Sequence, residues 1–193
     1  MKYLIIGLGN VGKEYELTRH NIGFRVLDAL ALASNTFFTL ERFALKSQIK
    51  YKGKPIILIK PTTYMNLSGK AVKYWLTKEN IPLNHVFVVV DDIALPFGTI
   101  RIRQGGSNGG HNGLANIDEA LGSNAYPRMR FGIGNNFPKG KQADYVLSPF
   151  TLEEEKLLPF YIDRMKNAIQ FFISDGIQNC MNEFNKTLVP PTE

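Results

Sequence analysis

The sequence predicts an α/β fold, a single domain over 1–193 in which helices flank a twisted mixed β-sheet with a mostly parallel core. Three observations carry this. Tyr3 to Leu8, Pro55 to Ile59 and Val86 to Val90 are continuous aliphatic and β-branched runs, the mark of strands covered on both faces. A helical pattern follows each run, so strand and helix alternate. At 193 residues the chain can bury a substantial core but is short for two domains, and no repeat or linker divides it.

The elements follow in order. The opening Met-Lys-Tyr-Leu-Ile-Ile-Gly-Leu is too short for the apolar region of a signal peptide and lacks a cleavage site, so it reads as the first strand. From Asn21, the residues Ile22, Val26, Ala29, Leu30 and Ala33 recur at helical spacing, while Arg25 and Asp28 share the other side and can pair. Arg42 to Lys54 and Thr99 to Arg103 are expected as antiparallel additions. Ser68 to Lys78 is a helix with Ala71, Val72, Trp75 and Leu76 on its apolar face, and Gly113 to Leu121 is a shorter one ended by Gly122. The tail opens with a capping box, Thr151 with Glu154, and carries Met165, Ile169 and Phe172 on one face. Pro159 is expected to kink or restart that helix.

Composition narrows the function. With 44% hydrophobic and 21% charged residues the chain is ordinary for a globular protein, and no apolar run approaches the roughly 20 residues that would span a bilayer. One cysteine, Cys180, excludes an internal disulfide and a thiolate metal cluster, which fits a cytoplasmic location. The net charge of +6 and pI near 9.4 favour a polyanionic partner. Between Phe97 and Lys141 six Lys or Arg stand against two acids, so +4 of the +6 is concentrated there, as a binding surface would be.

Gly7-Leu-Gly9-Asn10-Val-Gly12 is a literal G-x-G-x-x-G after a strand, with Asp28 downstream, the pattern of a dinucleotide site. Its context fails. The third glycine should open the helix, yet the helical pattern begins well beyond it, and Asp28 sits inside that helix rather than ending a second strand.

In a parallel sheet the ligand crevice lies beyond the carboxyl ends of the strands. The first strand delivers Asn10 and then Tyr15 and His20, the second delivers Lys60 to Asn66, and the third delivers Asp91 and Asp92. His20 is the natural acid or base, since imidazole alone titrates near neutrality. Placed in the first turn of a helix after a Thr18 cap, it would be held neutral, whereas a carboxylate partner, for which Asp91 is the candidate, would pull the other way. Asp91 and Asp92 have the chemistry to bind a divalent cation, but no third acid stands near them and Ala94 occupies a natural place for one. No metal or other cofactor is expected. Asn10, Asn66 and Asn112 offer amides that can hold a water, a peptide backbone or an oxyanion, or can simply cap turns and helices. The stretch Gln104 to Gly113, which contains His111 and lies beside Arg101 and Arg103, and the Arg128-Met-Arg130 tripeptide offer phosphate-binding chemistry, against the plainer reading of a solvated charged face.

The segments GLGNVGKEYELTRHNIGF, KPTTYMNLSGKAV, VVVDDIALPFGTIRIRQGGSNGGHNGL and PRMRFGIG resemble, in order and spacing, the signature stretches of bacterial-type peptidyl-tRNA hydrolases, from about Tyr3 to about Leu147. The resemblance implies a monomeric, metal-independent hydrolase that cleaves the ester joining a peptide to the tRNA ribose. It implies His20 as the base that activates water and Asp91 as its support. Asn10 would distinguish blocked from free aminoacyl groups, Asn66 and Asn112 would position substrate and water, and His111 falls in the substrate-binding set. Tyr15 and Tyr64 would lie against the substrate's terminal region, and Arg103 and Arg130 match positions that clamp the tRNA 5′ phosphate. Two departures stand out: Val11 where the family typically has proline, which loosens the turn carrying Asn10, and Ala94 in place of a common aspartate. Two rivals remain, an RNA-binding module on the same scaffold, which has no need of His20 and Asp91, and a small-ester hydrolase, which leaves the basic stretch unused.

Overall fold

A computed structural model describes residues 1–191. Seven strands form one mixed sheet: β1 (Tyr3–Gly7), β2 (Thr39–Glu41), β3 (Ala44–Tyr51), β4 (Lys54–Pro61), β5 (Val86–Asp92), β6 (Ile100–Arg103) and β7 (Arg128–Gly132), in the order β2-β3-β4-β1-β5-β7-β6. β4, β1, β5 and β7 run parallel through the centre. The other pairings are antiparallel, so the two expected additions take their places on the flanks as β3 and β6. β7 is not evident in the sequence, because its two arginines read as phosphate-binding groups or a solvated charged face rather than as part of a strand. In the fold Arg128 is 1% exposed.

Alternation along the strands sorts the core onto two faces. Leu4 and Ile6 of β1 pack with Val72 and Trp75 of α2 (Ser68–Lys78) and with Leu114 and Ile117 of α3 (Asn112–Leu121). Tyr3 and Ile5 point the other way, into a cluster with Ile22, Val26 and Leu27 of α1 (Ile22–Ala33) and Ile169 and Phe172 of α5 (Leu152–Phe184). Each such side chain contributes about 1.5–3 kcal/mol on burial, which makes the sheet a rigid base for the groups at its edge. A short α4 (Gln142–Val146) buries no residue. No described helix is long and apolar enough to cross a membrane.

Two glycines set how closely α1 approaches the sheet. A Cβ built on Gly23 would lie 2.6 Å from both the Leu8 amide nitrogen and the Val89 carbonyl oxygen, and one on Gly7 would strike the Gly23 carbonyl. Bare backbone at both positions lets α1 rest on β1 and β5, which brings the turn before α1 over the strand ends.

The tail departs from expectation at one point. Helical geometry runs through Pro159 and breaks instead at Gly176, with φ 83° and ψ 169°. Pro159 is exposed while Leu158 and Tyr161 beside it are buried, so the ring meets no packed neighbour layer and core packing holds the helix through it. The Thr151–Glu154 capping box forms as expected, as does the left-handed stop at Gly122, with φ 64°. Arg25 and Asp28 do not pair: Arg25 meets Glu155 of α5, and Asp28 meets Lys60 of β4 at 2.5 Å.

Candidate active site

The carboxyl ends of β1, β4 and β5 border a cavity of about 780 Å³ lined by Asn10, His20, Met65, Asn66, Asp91, His111, Asn112 and Arg130, and closed on its far side by Phe137, Lys139 and α4. Convergence of the strand ends is therefore as the sequence suggested. Asp91 is the penultimate residue of β5 and is 2% exposed. A carboxylate this deep needs donors, and it has two on one oxygen: His20 Nδ1 at 2.8 Å and His111 Nε2 at 3.0 Å from Asp91 Oδ1.

These contacts fix the imidazole protons. A carboxylate only accepts, so His20 carries its proton on Nδ1 and keeps Nε2 as the basic nitrogen. His111 is the N-cap of α3, where its Nδ1 accepts from the amides of Gly113 at 3.1 Å and Leu114 at 3.3 Å. Its proton is therefore on Nε2, donated to Asp91. His111 thus supports the carboxylate as well as bordering the cavity, a role that its neighbourhood in sequence with Asn112 does not disclose.

Burial pulls the His20 pKa down, but the charge of Asp91 and its hydrogen bond outweigh this and leave it raised above the ordinary value. Burial likewise pushes Asp91 upward, and the two imidazoles reverse it, holding the carboxyl far below the usual carboxylate range. The helix-terminus influence expected on His20 is displaced, because His20 lies in a 3-10 turn, Arg19–Asn21, before α1 begins. Thr18 precedes that turn but does not cap it; its hydroxyl donates to the Tyr15 carbonyl at 2.8 Å.

The ligand atoms of His20, Asp91 and His111 lie within 4.8 Å of one another, close enough to suggest a cation site. The capping bonds oppose it. A metal on His111 Nε2 would move the proton to Nδ1, where two backbone N–H groups already point. Ser68 and Cys180 are equally out of place as covalent nucleophiles. Ser68 is fully buried with its hydroxyl given to the Met65 carbonyl, and burial pushes the Cys180 thiol up to about 12, far from the cavity in α5.

Asn10 is anchored by a residue that the sequence did not single out. Its backbone amide donates to Asn21 Oδ1 and its carbonyl accepts from Asn21 Nδ2, both at 2.8 Å. This reciprocal pair holds the turn that Val11 was expected to loosen, and Val11 itself is 46% exposed. The only clue in the sequence was the position of Asn21, directly after His20. Asn66 and Asn112 are exposed at the cavity wall, which the buried Met65 also lines.

The structure does not bring all the expected residues to the wall. Tyr64 is 79% exposed and borders neither this cavity nor its neighbour behind Asn10, and Tyr15 likewise stands outside both. Arg103 projects from β6, exposed and off the wall. Arg130 does line it, but its guanidinium is partly engaged by the Ser107 carbonyl and by Asp92 at 3.5 Å. Lys139, in the sequence no more than a member of the basic stretch, is the second cation on the wall.

Comparison with known proteins fits this geometry. A family profile described as Peptidyl-tRNA hydrolase matches residues 4–191. The chain is 55% identical over 185 residues to the peptidyl-tRNA hydrolase of Cytophaga hutchinsonii, covering 96% of this chain and 98% of the relative. It is 55% identical over 186 residues to that of Phocaeicola vulgatus, covering 96% and 100%. Among solved structures, the peptidyl-tRNA hydrolase of Acinetobacter baumannii superposes with a TM-score of 0.89 at 30% identity, over 95% of this chain and 94% of that one. The chain therefore belongs to the peptidyl-tRNA hydrolase family.

Proposed function

We propose that the chain, acting as one domain, hydrolyses the ester between a peptide and the tRNA ribose by general-base activation of water. The carrying observation is the His20–Asp91 contact with its proton on Nδ1, which leaves Nε2 unprotonated at the cavity. Nε2 takes a proton from a water, and the resulting hydroxide attacks the ester carbonyl. The imidazolium so formed is stabilised by Asp91, which His111 keeps ionised. Amides of Asn10, Asn66 and Asn112 hold the peptide, the water and the oxyanion, contributing dipoles without net charge. When the tetrahedral intermediate collapses, the ribose oxygen leaves with the proton from His20, and the peptide is released as a carboxylic acid.

Substrate polarity matches the wall. Arg130 and Lys139 face the polyanionic arm of the substrate, and Arg103 extends the same cationic surface toward the acceptor stem and its 5′ phosphate. This activity recycles tRNA in the cytoplasm and calls for neither a second copy of the chain nor a metal. The test is turnover of an N-blocked aminoacyl-tRNA. His20→Ala should fold normally and lose at least about 100-fold in kcat. Near wild-type turnover by that variant would sink the assignment of the base, and RNA binding without hydrolysis by the wild type would sink the activity.

A further inference from the structure

His20 is held by Asp91 on one side, and the residue before it is held by something else. Arg19 is 5% exposed, and its guanidinium reaches the segment that joins α4 to α5. Nη1 donates to Ser148 Oγ at 2.7 Å and to the Pro149 carbonyl, and Nη2 donates to Glu154 Oε2 at 2.9 Å. The guanidinium plate lies 4.4 Å from the centroid of the Tyr145 ring. The backbone joins in: the Arg19 amide donates to the Ser148 carbonyl at 2.9 Å, and Thr18 forms an antiparallel bridge with Pro149. One side chain thus ties the catalytic turn to the end of α4 and to the capping box of α5.

The α4 segment is otherwise only lightly packed. Gln142, Ala143 and Val146 of α4, with Leu147, form the far wall of the catalytic cavity, yet no residue of α4 is buried. Its apolar contacts are partial, with Tyr145 and Val146 resting half-buried against the core and the Tyr145 ring 4.9 Å from that of Phe137, so polar ties share in placing it: the bond from Tyr145 Oη to the Ile133 carbonyl at 2.6 Å and the Arg19 cluster. His20 does not share this dependence, since Asp91 and the close packing of α1 on β1 place it.

We propose that Arg19 is a positioning residue that sets the distance between the α4 wall and the His20 turn, and so governs how firmly the substrate is held rather than how its ester is cleaved. The planar guanidinium is suited to this, since it meets a hydroxyl, a carbonyl and a carboxylate on its edge while its face lies against a ring, which an ammonium does not reproduce. The proposal rests on the hydrolase reading for its kinetic readout only.

Two variants separate it from a plain stability role. Arg19→Lys keeps the charge and loses the fork. Glu154→Gln keeps the capping box, which accepts glutamine at that position, and removes the carboxylate from Nη2. Steady-state hydrolysis of an N-blocked aminoacyl-tRNA should show KM raised about three- to tenfold in each, with kcat within about twofold and the acid limb of the pH profile unmoved. Amide hydrogen exchange in 137–147 should accelerate in both variants while that of α1 stays unchanged. A lowered melting temperature with unchanged KM and unchanged exchange in 137–147 would overturn the proposal, as would a fall in kcat or a shifted acid limb at constant KM. If Arg19→Lys does not fold, Glu154→Gln decides alone. If the wild type does not hydrolyse the ester, the functional reading fails and the exchange experiment still tests this one.

Discussion

Replacing His111 with asparagine separates its two roles. Asparagine is among the best N-caps, so its side-chain oxygen can take over the amides of Gly113 and Leu114 that His111 Nδ1 now satisfies. It is too short to reach Asp91, so the 3.0 Å bond from Nε2 is lost. A hydrogen bond to a buried charged group contributes about 1.5–3 kcal/mol, which for a chain of this size lowers the melting temperature by about 3–12 °C. His111→Ala should lose about 1 kcal/mol more, because the cap goes too. The sign with pH is set by Asp91. Its pKa is depressed in the fold, so the stability it supplies is present above the ordinary carboxylate value and disappears as pH falls through the folded value. His111→Asn moves the folded value upward, so its deficit is full at neutral pH and vanishes in strong acid. With one donor fewer, Asp91 also holds the His20 proton more strongly. On the proposed mechanism the acid limb of kcat/KM follows the His20 pKa, which the fold raises, and should therefore move to higher pH. Chemical unfolding across pH and the pH–rate profile read both effects. Equal stability of His111→Asn and wild type at neutral pH, with an unmoved acid limb, would refute the coupling; equal loss in the Asn and Ala variants would refute the cap.

Other substitutions probe the same geometry. Gly23→Ala should destabilise the protein by about 2 kcal/mol and reduce kcat, because a Cβ 2.6 Å from two backbone atoms forces α1 off the sheet, against a gain in helix propensity of about 1 kcal/mol; denaturant midpoints and turnover check it. Arg103→Ala should weaken tRNA binding and reduce its salt slope by about one while leaving stability unchanged, since that side chain is exposed. Arg130→Ala should do the same and also loosen the loop at Ser107, visible as faster exchange there.

Much of the site was legible because its chemistry is local to strand ends. Uninterrupted apolar runs marked three of the four parallel strands, and the residues just after each run had to emerge at one edge of the sheet. His20 and Asp91 could be paired on that ground and on the resemblance of their segments to a known family. β7 escaped because Arg128 looks solvated. In the fold its guanidinium donates to the Asn124 carbonyl at 2.7 Å and lies over the Tyr126 ring, compensation that hydropathy does not register.

By itself the sequence determined three of the four parallel strands and the helices that follow them, the capping box at Thr151, the stop at Gly122 and the convergence of His20 and Asp91 at one sheet edge, because those depend on residues a few positions apart or on the direction in which a buried strand must run. Partner choice was decided only by tertiary structure. Arg25 took Glu155 over Asp28, His111 turned to Asp91, and Asn21 locked the backbone of Asn10. A charged or hydrogen-bonding side chain near the surface has several candidates in sequence, and the packing of α1, α3 and α5 on the sheet determines which one lies within 3 Å.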